Sequence, residues 1–334
     1  MNIQQIEDSL SLINKAENIL ILSHRNPDGD AIGSSLALSM FLNTLNKKNR
    51  VVLPNAIPEN MKWMSDWEQI LIYESEKDKK NVLDAIKNAN LIFTLDFNAL
   101  HRLGILENEL KNIETPFIMI DHHETPDSYA KVTFSNTNYG STCEMIYDFI
   151  TFLGYSKNIN KDIATCIYTG ITTDSGSFKF PKTTSKTHQL VAHLIELGID
   201  NSLIHRNIFD NNSFNSLQLM GCYLTNLKLL EHKKTSYSYL SASELQKYNC
   251  KKGDTEGFVN LGLSIKDIEF TAYFAENQDD NLIKISFRSK GNFDVNQFSK
   301  KYFEGGGHKN AAGGKSLLSL EETLKRFEEI VDLL

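Results

Sequence analysis

Short unbroken apolar runs punctuate the first half of the chain: residues 19–23 (ILILS), 91–95 (LIFTL) and 117–120 (FIMI), with 50–53 as a further short one. Runs of this length suit strands buried on both faces. Between them the spacing changes. From Gly29 to about Lys47, Ile32, Leu36, Met40, Leu42 and Leu45 recur as on one face of a helix. Further helical stretches are predicted around 81–88, 141–153, 161–170 and 184–197. Strands alternating with helices imply βαβ units and a doubly wound parallel sheet. Such sheets bind ligands beyond the carboxyl ends of their strands.

From about residue 198 the texture changes. Residues 198–215 contain no strand pattern and end in a polar cluster, NNSFNS. Beyond them lie half-buried strand patterns at 235–240, 269–276 and 282–289. A helix near 296–303, a glycine-rich turn and an amphipathic helix from about Ser319 complete the chain. The reading is a domain over 1–190, a helical linker over 191–215 and a smaller α/β domain over 216–334.

Composition narrows the class. With 334 residues, 41% hydrophobic and 23% charged, the chain has ordinary globular averages and enough length for two cores. No apolar stretch approaches the about 20 residues a membrane span needs. The polar, acidic start shows no secretory signal pattern. Cys143, Cys166, Cys222 and Cys250 lie far apart without a C-x-x-C, as reduced thiols of a cytoplasmic protein would. Residues 216–334 hold 16 basic and 16 acidic side chains, so the whole formal charge of −7 belongs to the N-terminal part.

Four places in that part carry candidate chemistry. His24, Asp28 and Asp30 (HRNPDGD) follow the run 19–23, Asp96 follows 91–95, and Asp121, His122 and His123 follow 117–120. Asp174 follows the apolar stretch 163–171 and is expected, like the others, at a strand end. A single aspartate after a strand is usually a helix N-cap, and Asp30 fits that role by itself. Five aspartates and three histidines in one crevice are another matter. Like charges that close cost stability unless a cation neutralises them. Oxygen and imidazole donors without thiolate suit a pair of divalent ions, with imidazole favouring Mn²⁺ over Mg²⁺.

The set H-x-x-x-D-x-D, the lone Asp96, D-H-H and Asp174 resembles the four motifs of the DHH phosphoesterase superfamily. Gly305–Gly314 (GGGHKNAAGG) resembles the signature of the DHHA1 domain. Length and layout are similar to the nanoRNase and pAp-phosphatase branch. The resemblance implies a DHH domain and a DHHA1 domain with the active site in the cleft between them. It implies His24 and Asp28 on one metal, Asp30, His122 and Asp174 on the other, and Asp96 bridging. Asp121 would orient a neighbouring histidine, and His123 would face the phosphate or assist water. Arg102 resembles a position near the active-site phosphate. Arg288 with Gly305, Gly306, Gly307 and His308 would bind the nucleotide. Phe97 departs from the small or hydroxyl residue common after the second-motif aspartate.

The implied reaction is attack of a metal-activated water on phosphorus, with Mn²⁺, Mg²⁺ or Co²⁺ as the ions. The implied substrates are short oligoribonucleotides, cleaved to mononucleotides, and 3′-phosphoadenosine 5′-phosphate (pAp), converted to AMP. A homodimer is expected. No basic stripe for long duplex nucleic acid is present. The alternatives are a cyclic or linear dinucleotide phosphodiesterase and a nucleotide-binding module without turnover. A pyrophosphatase would carry a different C-terminal domain, and a RecJ-type exonuclease would be longer.

Overall fold

The computed structural model describes residues 2–251, 253–277 and 281–334, the side chain of His308 excepted. The chain forms two compact units, Met1–Asn211 and Asn212–Leu334.

The first unit is built on six strands: β1 (Asn18–Ser23), β2 (Lys48–Leu53), β3 (Leu71–Ile72), β4 (Leu91–Leu95), β5 (Phe117–Asp121) and β6 (Val132–Ser135). They lie in the order β3-β2-β1-β4-β5-β6 and every neighbouring pair is parallel. The apolar runs read as they do because both faces are covered. Ile19 and Ile21 of β1 face one cluster, Leu20 and Leu22 the other, and all four are buried. The first face carries helices α1 (Ile3–Lys15), α2 (Gly29–Thr44), α4 (Thr142–Phe152), α5 (Lys161–Asp174), α6 (Ser185–Glu196) and α7 (Asn201–Phe209). The second carries α3 (Lys79–Asn88) and a 3₁₀ segment, Leu100–Leu110. Phe97 is fully buried in that second cluster, where it anchors the chain just past β4. Strand order reverses between β1 and β4, which is where doubly wound sheets open a crevice.

The second unit contains α8 (Phe214–Thr225), β7 (Lys228–Leu230), β8 (Thr235–Leu240), α9 (Ala242–Lys247), α10 (Phe258–Leu263), β9 (Phe270–Asn277), β10 (Leu282–Ser289), α11 (Val295–Tyr302), β11 (Gly306–His308), β12 (Ala311–Ser316) and α12 (Leu320–Asp332). Its sheet has the order β11-β12-β10-β9-β8-β7, antiparallel except for the parallel pair β8–β9. One face buries an aromatic cluster of Phe270, Phe274, Phe287, Phe298, Phe303 and Phe327. The glycine-rich segment expected as a turn is mostly strand. Glycine is required there because the hairpin is tight: a Cβ on Gly305 would lie 1.9 Å from the Gly313 carbonyl oxygen, and one on Gly307 2.4 Å from that of Ala311. Among the described residues, no helix is long and apolar enough to cross a membrane.

Candidate metal centre

The donors gather where the strand order reverses. At the ends of β1 and β4, Ser23 Oγ donates to the Leu95 carbonyl at 2.8 Å. The loop after β1 is pinned at both sides: Arg25 N donates to the Arg102 carbonyl at 2.9 Å, and Asn26 N to Asn55 Oδ1 at 2.6 Å. His24 is buried, with Nδ1 on the Arg25 carbonyl at 2.9 Å and Nε2 turned to Asp96 Oδ2 at 3.3 Å.

The N-cap of α2 is Asp28, not Asp30. Asp28 Oδ1 accepts from Asp30 N at 3.1 Å and Ala31 N at 3.0 Å. Asp30, one residue into the helix, is fully buried and crosses to the start of α4. Its Oδ2 accepts from Thr142 N at 2.6 Å and its Oδ1 from Cys143 N at 2.8 Å. A helix N-terminus is a favourable place for a carboxylate. Thr142 Oγ also donates to Asp96 Oδ1 at 3.0 Å, so one residue holds two of the aspartates. The sequence reading missed Thr142. Its available signal was the small and hydroxyl run GST opening an apolar helical stretch, with Ser141 as N-cap.

Asp96 has a left-handed backbone, φ 65°, and is almost wholly buried. Its two oxygens face different partners: Oδ2 faces His24, and Oδ1 lies 3.4 Å from His122 Nε2 and 3.9 Å from His123 Nδ1. His122 Nε2 is also 3.3 Å from Asp174 Oδ2 and 4.0 Å from Asp30 Oδ2. Asp121, the buried last residue of β5, grips His123 twice: Nδ1 at 2.7 Å from Oδ1, and N donating to Oδ2 at 3.1 Å.

Asp174 closes helix α5 and does not follow a strand, contrary to expectation. The stretch 163–171 is apolar because α5 packs closely on α2, not because it forms a sheet strand. Glycines permit this. A Cβ on Gly33 would lie 2.5 Å from the Cys166 carbonyl oxygen, and one on Gly170 2.6 Å from Asp30 Oδ1. The carboxyl end of a helix is its negative end, so Asp174 adds charge where a cation is wanted.

Protonation in the metal-free chain expresses the same need. Burial opposes a charge on His24, but Asp96 and Asp28 outweigh it and raise the imidazole to about 9. His122, likewise opposed by burial, is raised to about 10 by Asp96, Asp30 and Asp174. Burial and the charge of Asp96 push Asp30 up to about 8. Asp174 is pushed well above the carboxylate range by burial and by Asp30, Asp28 and Asp96. Burial would also raise Asp96, but His122 and His24 hold it below the usual range. Protons here do the neutralising that a cation would do. Donor atoms of His24, Asp28 and Asp96 lie within 4.8 Å of one another, as do those of Asp30, His122 and Asp174, and those of Asp96, His122 and His123. Crowded oxygen and imidazole donors of this kind fit divalent cations.

A polar brace stiffens the surroundings. Buried Asp148 of α4 accepts from the Tyr139 hydroxyl and from Lys186 Nζ of α6, and Lys186 sits 4.9 Å over the Tyr139 ring. The Tyr139 carbonyl in turn lies 3.4 Å from His122 Nδ1.

Arg102 is exposed, and its carbonyl, as noted, holds Arg25. Arg288 stands near the end of β10, half-buried, with Nη1 on the Phe287 carbonyl at 3.0 Å. Two amides of the glycine segment have partners within the second unit. Gly307 N donates to Asn296 Oδ1 at 2.9 Å and Gly305 N to the Ser299 carbonyl at 3.4 Å, so both are engaged within the unit. His308 contributes backbone to β11, and its side chain lies outside the described residues.

The family model for the DHH family, N-terminal domain, matches residues 18–171, and that for the DHHA1 domain matches 233–333. The chain is similar to the crystal structure of an exopolyphosphatase-related protein from Bacteroides fragilis. The TM-score is 0.95 and the identity 37%, over 98% of this chain and 96% of that one. It is 26% identical to the probable bifunctional oligoribonuclease and PAP phosphatase NrnA of Streptococcus mutans, over 97% of each. It is 23% identical to the cyclic-di-AMP phosphodiesterase GdpP of Bacillus subtilis, over 96% of this chain and 48% of that protein.

Proposed function

The chain belongs to the DHH family of phosphoesterases, and from that premise we propose that it hydrolyses short oligoribonucleotides to mononucleotides and pAp to AMP. The observation that carries the reading is Asp96, buried with one oxygen facing His24 and the other facing His122. It belongs both to the set His24, Asp28, Asp96 and to the set Asp96, His122, His123, and His122 belongs in turn to the set Asp30, His122, Asp174. In this reading His24 and Asp28 would hold one divalent ion, Asp30, His122 and Asp174 would hold another, and Asp96 would serve both. Bound Mn²⁺, with Mg²⁺ or Co²⁺ as alternatives, supplies Lewis acidity toward phosphoryl oxygens and lowers the pKa of water.

The remaining roles belong to side chains. Thr142 and the start of α4 hold Asp30 and Asp96 in place. Asp121 fixes the His123 ring, which would face the phosphate or assist the attacking water. Arg288 and the segment 305–308 hold the nucleotide by charge and strand edge, and Arg102 contacts phosphate. The S. mutans relative supports these substrates, since its name gives both and its match spans nearly the whole of each chain.

A second reading, hydrolysis of cyclic or linear dinucleotides, is supported by similarity to GdpP over 96% of this chain. One panel decides between them: diribonucleotides, longer RNA, pAp, cyclic dinucleotides and pyrophosphate, each with Mn²⁺. Fast release of mononucleotides from diribonucleotides, with turnover of pAp, is the expected result. A preference for cyclic dinucleotides selects the second reading, and no turnover of any phosphoester defeats both.

A further inference from the structure

Asp174 is followed by a turn of unusual conformation. Gly176, Ser177 and Phe178 have φ of 57°, 59° and 65°. Gly176 adopts this freely, but Ser177 and the aromatic Phe178 store strain that surrounding contacts must offset. The strain folds the chain back on the end of α5. Lys179 N and Phe180 N both donate to the Ser175 carbonyl, at 2.9 and 3.0 Å, and Phe178 N donates to Ser175 Oγ at 2.9 Å. The backbone of Phe180 is therefore one hydrogen bond from the residue beside Asp174. At the other end, the Lys182 carbonyl oxygen lies 3.6 Å from where a Cβ on Gly140 would sit. Gly140 is two residues before Thr142. The segment 178–182 thus runs from the end of α5, which carries Asp174, toward the start of α4, which holds Asp30 and Asp96.

Its side chains divide by role. Phe178 turns toward Tyr168 and His188, with ring centroids 6.0 and 5.6 Å away. Phe180 leaves 53% of its surface in water. Its ring is nonetheless positioned, because it lies over Gly176, where any Cβ would come within 2.6 Å of the ring edge. Lys179 and Lys182, on either side, are exposed. A fixed, wet aromatic ring between two cations can stack a base and attract the phosphates flanking it. A purely packing role would not require strained backbone to hold the ring at the surface.

We infer that Phe180, with Lys179 and Lys182, forms a stacking subsite for a nucleobase of single-stranded RNA whose scissile phosphate is at the metal centre. The inference rests on the reading of function above and names the residue that meets the base. Stacking of this kind accepts any base, because every base offers a π-face.

The test uses the full chain with Mn²⁺ and two substrates: a 5′-phosphorylated triribonucleotide, and the same trimer made abasic at each position in turn. F180A is expected to raise KM on the intact trimer roughly five- to hundredfold, the range of base–aromatic stacking, with a much smaller change in kcat. At one position the preference for the intact over the abasic trimer collapses toward one. F180W restores both. The double variant K179A/K182A flattens the dependence of log(kcat/KM) on log salt. A KM for F180A within about twofold of wild type, or an equal loss on intact and abasic trimers, overturns the subsite and leaves the phosphoesterase reading standing. Failure of the wild-type chain to cleave any trimer overturns that reading, and the subsite with it.

Discussion

Asp96 combines a left-handed backbone with near-complete burial, a combination that costs about 1–3 kcal/mol unless neighbours offset it. Its neighbours do, since Thr142, His24 and His122 all reach its two oxygens. Thr142→Val keeps the side-chain shape and removes the hydroxyl. It is predicted to weaken Mn²⁺ binding about 10- to 100-fold, as loss of a ligand-orienting hydrogen bond does, with Thr142→Ser restoring it; calorimetric titration measures both. The pH dependence has a definite sign. The His24 imidazole, raised from 6.5 to about 9, stabilises the metal-free fold below pH 6.5, and that contribution fades as pH rises through 9. Asp30, raised from 3.8 to about 8, favours the fold while protonated, so its ionisation removes stability over the same approach to pH 8. The chelator-treated protein should therefore melt lower at pH 9 than at pH 6.5. Mn²⁺ should raise Tm more at the higher pH, because its ligands must first lose their protons. A metal-free Tm that climbs from pH 6.5 to 9 would contradict these protonation states.

Helices α2 and α5 set the distance between Asp30 and Asp174 through glycines. A Cβ at Gly170 would lie 2.2 Å from Cys143 Sγ as well as 2.6 Å from Asp30 Oδ1. Gly170→Ala is predicted to cost about 1–3 kcal/mol by overpacking and to lower Mn²⁺ affinity by shifting Asp30. Gly221, in α8, has nothing within 4 Å of a built Cβ. Gly221→Ala should instead stabilise by about 0.5–1 kcal/mol through helix propensity. Denaturant unfolding of the two variants checks the opposite signs. The brace between α4 and α6 gives a third case. Tyr139→Phe removes one donor to buried Asp148 and leaves Lys186, so a loss of about 0.5–1.5 kcal/mol is expected.

Across the molecule, each unit gives its own account of what a sequence can show. The parallel strands of the first unit were legible because burial on both faces makes them unbroken apolar runs, as in residues 91–95. Eight aspartates and histidines were legible because they stand in or just after such runs or the long apolar helix α5. What was not legible depends on which distant segment comes near. Thr142 and the amide of Cys143 reach Asp30 across more than a hundred residues, and no local pattern announces that contact. Asp174 was grouped with the strand ends although 161–170 reads as helical, because the other donors all follow strands and nothing local shows that the end of α5 reaches the same crevice. In the second unit, the glycines of 305–314 read as a turn and are mostly the paired strands β11 and β12, because only close backbone packing, not sequence pattern, marks them as strand. Arg288 keeps its proposed part there. Arg288→Ala should raise KM for diribonucleotides roughly tenfold or more while Mn²⁺ affinity by titration stays at the wild-type value.

The central claim is a phosphoesterase whose two cations share Asp96. The direct measurement is release of mononucleotide from a 5′-phosphorylated diribonucleotide by chelator-stripped protein as Mn²⁺ is added back, for wild type and Asp96→Ala. The account predicts no release before addition, recovery that saturates at two Mn²⁺ per chain, and no recovery in the variant. Turnover by the stripped protein, or full activity of Asp96→Ala, would contradict it.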